Sequence, residues 1–375
     1  MSDSNKMQDT KNINKWINRI EEEKIITKKD ITENSTQFSN KQELNETSLG
    51  INNLELQEEL FQIIQYFDKI NIKEIDPITV SNEKEKLFFK KGFDIIVDKT
   101  NDLIFRLLSK GIEWKLLEEL VIDYFNNHNI NLQEIYNWSS YNQNSANSIF
   151  LLGYFNNRGI ETSVNTKKAF NLFIKASEKN HILAQYFAGN CYEFGNGTIK
   201  NEKLAFEYFE KSANKNFSHG QAEIGYFYEN GLGITQNFKK AFYWYEKAAN
   251  NGNIMAVYNL GRCYKNGMGV KRDCNRAFKL LKQSAEGGYL RGITMLGVCY
   301  EIGVGTKIDK QKAFELYQKS ANLGELVAQY NLGIMYEFGK GITKDINKAI
   351  YWYGKCAEQG DQDAENRLVF LQHYQ

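Results

Sequence analysis

The chain has 375 residues, 42% of them hydrophobic and 25% charged, which fits a folded protein longer than one ordinary domain. Its 47 basic and 46 acidic residues leave a net charge of +1, which argues against nucleic acid or an anionic membrane surface as a partner. A single proline, Pro77, and the lack of any run of 18 apolar residues point to extensive helix without a membrane span.

Residues 1–50 are rich in Asn, Ser, Thr, Lys and Gln and read as mostly disordered. The first ten residues are polar, with no apolar signal region, so the expected location is cytoplasmic. Within this segment Ile13, Trp16, Ile17 and Ile20 keep helical spacing, a transient or body-packed helix with a docking motif as the alternative. Residues 51–144 form a non-repeating helical block. Leu56, Leu60, Ile63, Ile64 and Phe67 make one stripe, and further helices are predicted over Asn82–Ser109, Trp114–Phe125 and Leu132–Trp138. The block is expected to cap the apolar end of the C-terminal half of the chain.

From 145 to 360 the chain repeats every 36 residues, six times, without insertion. Gly153, Gly189, Gly225, Gly261, Gly297 and Gly333 share one register; Ala169, Ala205, Ala241, Ala277, Ala313 and Ala349 share another. A fixed period of this length marks an all-α solenoid of helix-turn-helix units. In the last unit the helices are predicted over Val327–Phe338 and Ile346–Glu358, joined by a Gly339-Lys340-Gly341-Ile342 turn. A glycine inside a helix costs ~1 kcal/mol relative to alanine. Six at one register therefore imply a contact that tolerates no side chain.

Asn165, Asn201, Asn237, Asp273, Asp309 and Asp345 precede the second helices as N-caps. Three residues later stand Lys168, Leu204, Lys240, Arg276, Lys312 and Lys348. Cations there oppose the helix dipole, so a solvated face or a pairing with a carboxylate of the next unit is expected. Repeating aromatics such as Tyr192, Tyr228, Tyr264, Tyr300 and Tyr336 read as core. Cys191, Cys263 and Cys299 stand where other units carry Phe155, Phe227 and Met335, so they read as reduced packing thiols, as do Cys274 and Cys356.

These residues resemble the Sel-one-like repeat (SLR) family, a branch of the tetratricopeptide-like helical solenoids. The last unit, AQYNLGIMYEFGKGITKDINKAIYWYGKCAEQG, carries its signature almost complete. The resemblance covers six units, 145–360, and implies an α/α superhelix with an N-terminal helical cap. The first unit departs from it, with Asn156 for the tyrosine and Glu161 for the second turn glycine, and is expected to be distorted. Residues 361–375 read as a C-terminal capping helix. In many fungal proteins similar repeats follow a protein kinase; no H-R-D or D-F-G occurs here, so a relationship implies a kinase-less relative.

The resemblance implies an adaptor or scaffold, serving signalling or complex assembly, rather than an enzyme. His128, His181, His219 and His373 are too scattered for a metal or base, no nucleophile motif occurs, and neither cofactor nor metal is expected. The first helices of related solenoids line the concave face. By that resemblance the candidate peptide groove is Tyr226, Arg262, Lys265, Glu193, Glu229, Glu301, Glu337, Phe194 and Phe338. Its four glutamates, alternating with apolar residues, suit a basic, partly apolar peptide or protein. The other readings are that 1–144 is the interaction module with the repeats as spacer, and a hydrolase-type enzyme.

Overall fold

A computed structural model describes residues 82–127 and 130–373; for 82–91 and His373 only the backbone is described. By internal contacts the chain divides into 1–56 and 57–375, and every described residue belongs to the second unit. The Ile13–Ile20 island, the Leu56–Phe67 stripe and His128 lie outside the described residues.

The described residues form sixteen α-helices and no strand. Helices α1 (Asn82–Ser109), α2 (Trp114–Asn127) and α3 (Leu132–Tyr141) precede the repeats. The first helices of the six units are α4 (Ala146–Arg158), α6 (Ile182–Phe194), α8 (Ser218–Asn230), α10 (Ile254–Asn266), α12 (Leu290–Ile302) and α14 (Leu326–Phe338). The second helices are α5 (Thr166–Glu178), α7 (Glu202–Ala213), α9 (Phe238–Asn250), α11 (Cys274–Glu286), α13 (Lys310–Asn322) and α15 (Ile346–Ala357), and α16 (Gln362–His373) closes the stack. Helix α1 packs on both α2 and α3, and from α3 onward each helix packs on its chain neighbours. First helices of successive units also approach one another, α10 to α12 and α12 to α14, which places them on the inner side of the curve.

The helix glycines meet side chains of the paired helix. A Cβ at Gly153, Gly189, Gly225, Gly261, Gly297 or Gly333 would lie 2.6–2.9 Å from Phe173, Phe209, Tyr245, Leu281, Tyr317 or Tyr353. That partner is always the residue 20 positions on. Five of the six are aromatic, so each of those units is locked by a ring laid on a bare stretch of helix.

The turns are built on equally close approaches. The first turn glycine ends each first helix in the left-handed region, with φ of 64–76°. The second turn glycine abuts the previous unit: a Cβ on Gly197 would strike the Thr166 carbonyl, and one on Gly305 that of Cys274. Unit 1 has no previous repeat to strike. There Glu161 takes φ 54° and the turn keeps its shape, so the expected distortion is absent at this point. The Asn and Asp caps each accept the third backbone N–H of the second helix at 2.9–3.0 Å.

The cations at that third position pair within their own unit, not with the next one. Lys240, Arg276, Lys312 and Lys348 sit 5.0–5.5 Å over the rings of Tyr228, Tyr264, Tyr300 and Tyr336. Where the cap is aspartate, it pairs with the same cation. Cation–π contact and cap charge together offset the unfavourable dipole end. In unit 1 Asn156 replaces the ring, and Lys168 turns to Tyr136 of α3.

The N-terminal helices do more than cover one end. Asn147 donates to Asp98, His181 meets Asn101 at 3.1 Å, Phe105 packs on Phe217, and Ser218 donates to the Ser109 carbonyl. The Ile254 N–H donates to the Lys110 carbonyl. Helix α1 thus runs along the starts of the first helices of units 1 to 3, and its end reaches unit 4. Helix α2 turns back, with Trp114 against Tyr186, Phe187 and His219, and Phe125 against Phe155. One apolar cluster runs from Val97 to Phe227, so these helices share the core of the first three units.

The ring contacts predict opposite effects for two glycines in the last unit. Gly333→Ala should destabilise by ~1–3 kcal/mol through overpacking against Tyr353. Gly354→Ala, with nothing within 4 Å of the new Cβ, should stabilise by ~0.5–1 kcal/mol. Denaturant titration of the two variants checks both signs.

Candidate binding surface

The candidate residues all lie at the C-terminal ends of first helices, but they are not equally available. Phe194, Ile302 and Phe338 are exposed at 65%, 59% and 57%, and Tyr226 at 43%. All four stand on first helices, whose ends need no apolar residue of this size.

The four glutamates do not form a free acidic row. Tyr245, the ring under Gly225, donates its hydroxyl to Glu229 at 2.7 Å; Tyr317 donates to Glu301 at 2.8 Å and Tyr353 to Glu337 at 2.9 Å. A cation from farther along the chain then pairs with each. Arg262 reaches Glu229 at 2.8 Å, Lys340 lies 3.9 Å from Glu301, and Arg367 of α16 grips Glu337 through two nitrogens. Glu229 and Glu337 are buried. These three glutamates therefore stitch units together, and Arg262 is engaged by Glu229 rather than free for a ligand. Lys265 lies with its ammonium 3.5 Å from the Met295 sulfur.

Glu193 differs. Its counterpart of the donating tyrosine is Phe209, which has no hydroxyl. Burial pushes the Glu193 carboxyl up to about 7, against the partly offsetting charge of Lys200. Glu223, one unit on, is pushed up to about 8 by burial and then by the charge of Glu193.

Two residues without a sequence signal prove to be latches for α1. His181 accepts the Ala184 N–H through Nδ1, so its Nε2–H donates to Asn101. His219 donates from Nδ1 to the Leu108 carbonyl. Burial holds both imidazoles neutral, with pKa values lowered to about 4. Cys191 and Cys263 are pushed up to about 12, and Cys299 and Cys356 to about 11, all by burial first, so they stay protonated and unreactive. Among the described residues no cluster of His, Cys, Asp and Glu could hold a metal, and no helix is long and apolar enough to cross a membrane.

The Sel1 repeat pattern matches residues 146–181, 182–217, 218–253, 254–289, 291–325 and 326–361, more than half of the chain. The chain belongs to the Sel1 repeat family. A crystal structure of a Sel1 repeat protein from Oxalobacter formigenes is similar at 31% identity and a TM-score of 0.54, over 56% of this chain and 85% of that one. A protective antigen of uropathogenic Escherichia coli strains, displaying an SLR fold, is similar at 29% identity and a TM-score of 0.53. That match covers 72% of this chain but 59% of the antigen's length. No curated protein sequence matches the chain significantly. Sel1 and related repeat proteins generally serve as protein-interaction scaffolds on extended concave surfaces, and this Sel1 chain has the architecture for it.

The raised glutamates make stability depend on pH. With folded values of about 7 and 8 against an ordinary 4.5, Glu193 and Glu223 hold protons in the native state that the unfolded chain has released, so stability falls as pH rises through that window. His181 and His219, folded values about 4 against 6.5, act oppositely below pH 6.5. A net fall is expected from about pH 6.5 to 8, and the Glu193→Gln/Glu223→Gln variant should flatten it in thermal melts across pH.

Proposed function

We propose that this Sel1 chain is a non-catalytic scaffold that binds a protein or peptide on the inner face of its solenoid, in the assembly of a complex. The observation that carries the reading is the exposed apolar set Phe194, Tyr226, Ile302 and Phe338 on first helices. The N-terminal helices already occupy the starts of the first helices in units 1 to 3. The surface left to a partner is therefore the C-terminal ends of these helices and the inner side of units 4 to 6, where Ile302, Ile334 and Phe338 stand. Such a surface recognises an extended, partly apolar segment, with shape from the curve and polarity from the rim. Cytoplasmic residence fits the free, unreactive thiols.

The alternative, an N-terminal interaction module on a spacer of repeats, is less well supported. Helices α1 to α3 bury Leu117, Val121, Phe125 and Ile135 in the core they share with units 1 to 3. They are part of the stack and not an appended domain.

A photoreactive residue placed at Ile302 or Phe338 should crosslink to a partner in cells, and one at Tyr351, exposed on the second helix α15, should not. Ile302→Lys with Phe338→Lys should abolish that partner's retention with an unchanged helical spectrum. Equal crosslinking from Tyr351 would refute the inner-face reading.

A further inference from the structure

Glu193 lacks every counter-charge that its equivalents have. Three registers supply cations to the inner-face glutamates: Arg262 stands 33 residues after Glu229, Arg367 30 after Glu337, and Lys340 39 after Glu301. Counted from Glu193 these positions are Tyr226, Glu223 and Leu232. One cation register holds an aromatic ring, one an apolar side chain, and one a second carboxylate. The two acids are close enough that the charge of Glu193 raises Glu223.

Among the described residues no Lys or Arg forms an ion pair with Glu193 or Glu223. Lys200 acts on Glu193 but forms its ion pair with Glu202 at 3.0 Å. Arg158 pairs with Glu118 and lies over Trp114. Arg262 is held by Glu229, and Arg291 acts on Tyr226. His219 comes within 3.9 Å of Glu223, but burial keeps it neutral.

A second observation points into the same place. The fully buried Tyr186 hydroxyl and the Asn190 amide nitrogen have no well-formed hydrogen bond, and the carboxylate that the hydroxyl faces is that of Glu223. Tyr186 is held protonated by its burial and then by the charge of Glu223, with Glu193 adding, so its hydroxyl is a donor beside these carboxylates. A buried donor without a well-placed acceptor is unfavourable. The cost is relieved when the carboxylate next to it is ionised, which an incoming cation would enforce. Both carboxylates act on Tyr226, Phe194 follows Glu193 in the chain, and the two rings are exposed.

The geometry points to a receptor site for one arginine side chain of the partner protein, formed by Glu193 and Glu223 across the unit 2–unit 3 junction under the rings of Tyr226 and Phe194. A guanidinium has donors for both carboxylates at once and a flat face for the exposed rings, which an ammonium lacks. Its role is the one Arg262 and Arg367 play within the chain, supplied from outside. The inference rests on the inner face being the binding surface and names the chemistry of one of its subsites.

The test uses the full chain with glutamate side-chain carboxyls carbon-13 labelled, titrated with arginine amide and with its neutral isostere citrulline amide. Arginine amide should shift the Glu193 and Glu223 signals and move their titration toward lower pH; citrulline amide should shift neither. Glu193→Gln should weaken the response about tenfold, the loss of ~1.4 kcal/mol, and Tyr226→Phe should keep it. Tyr226→Arg places a cation at the Arg262 register. It should abolish the response and, with no probe present, return Glu193 toward the ordinary carboxylate range, which a folding defect would not do. Equal shifts from both amides, no shift at the highest arginine amide concentration, or an intact response in Tyr226→Arg would each overturn the proposal. The crosslinks at Ile302 and Phe338 lie outside this site, so they report on the inner-face reading independently.

Discussion

Each unit of this solenoid depends on a side chain pressed against a glycine. The contact is too close for any side chain at the glycine, with a ring atom 2.6–2.8 Å from where a Cβ would stand in five units and Leu281 taking the ring's place in the sixth. It sets the distance between paired helices, and the 36-residue spacing then sets the distance between pairs. In three units the ring is a tyrosine whose hydroxyl reaches a glutamate one turn along the first helix. That glutamate meets a cation from farther along the chain. Packing inside a unit and charge pairing between units are thus continuous, and a buried carboxylate is tolerated because donor and cation arrive together.

The same logic explains why the upstream end is built differently. In units 1 and 2 the ring is phenylalanine, and the inner side is taken up with the chain's own α1 and α2. Asn101, His181 and His219 tie these helices down through hydrogen bonds. Gly111, with φ 81°, lets the chain reverse where the Asn253 side chain and the Ile254 and Met255 backbone leave 3.0–3.2 Å for a Cβ. On the proposed reading the groove offered to a partner is half filled, with its open part downstream and along the C-terminal ends of the first helices.

The all-α fold, the six units and their caps were legible because repetition averages out local ambiguity. Asn165 to Asp345 read as caps from type and position alone, and each makes the bond that its type implies. The helix glycines announced a close contact but not its partner, since nothing local ties Gly225 to Tyr245 beyond a shared period. The candidate groove residues stand on first helices, but the state of Glu229, Glu301 and Glu337 was not legible. Their neutralisation depends on residues 30 to 39 positions away, at registers that differ from junction to junction. The cations at the third helix position found tyrosines of their own unit, a cation–π contact that charge counting cannot anticipate. The docking of α1 along units 1 to 3 had no periodic signal, because α1 belongs to no repeat.

The central claim is that the ring-locked stack leaves its inner face as the variable surface and that the chain fills the upstream part of it with α1 and α2. Hydrogen exchange of the full chain tests this most directly. The amides of residues 96–108 and 117–126 should be protected as strongly as those of α6 and α8, and should lose that protection together when His219 and Trp114 are replaced by alanine while α12 and α14 are unaffected. Exchange of α1 and α2 at the rate of open peptide in the unmodified chain would contradict the account.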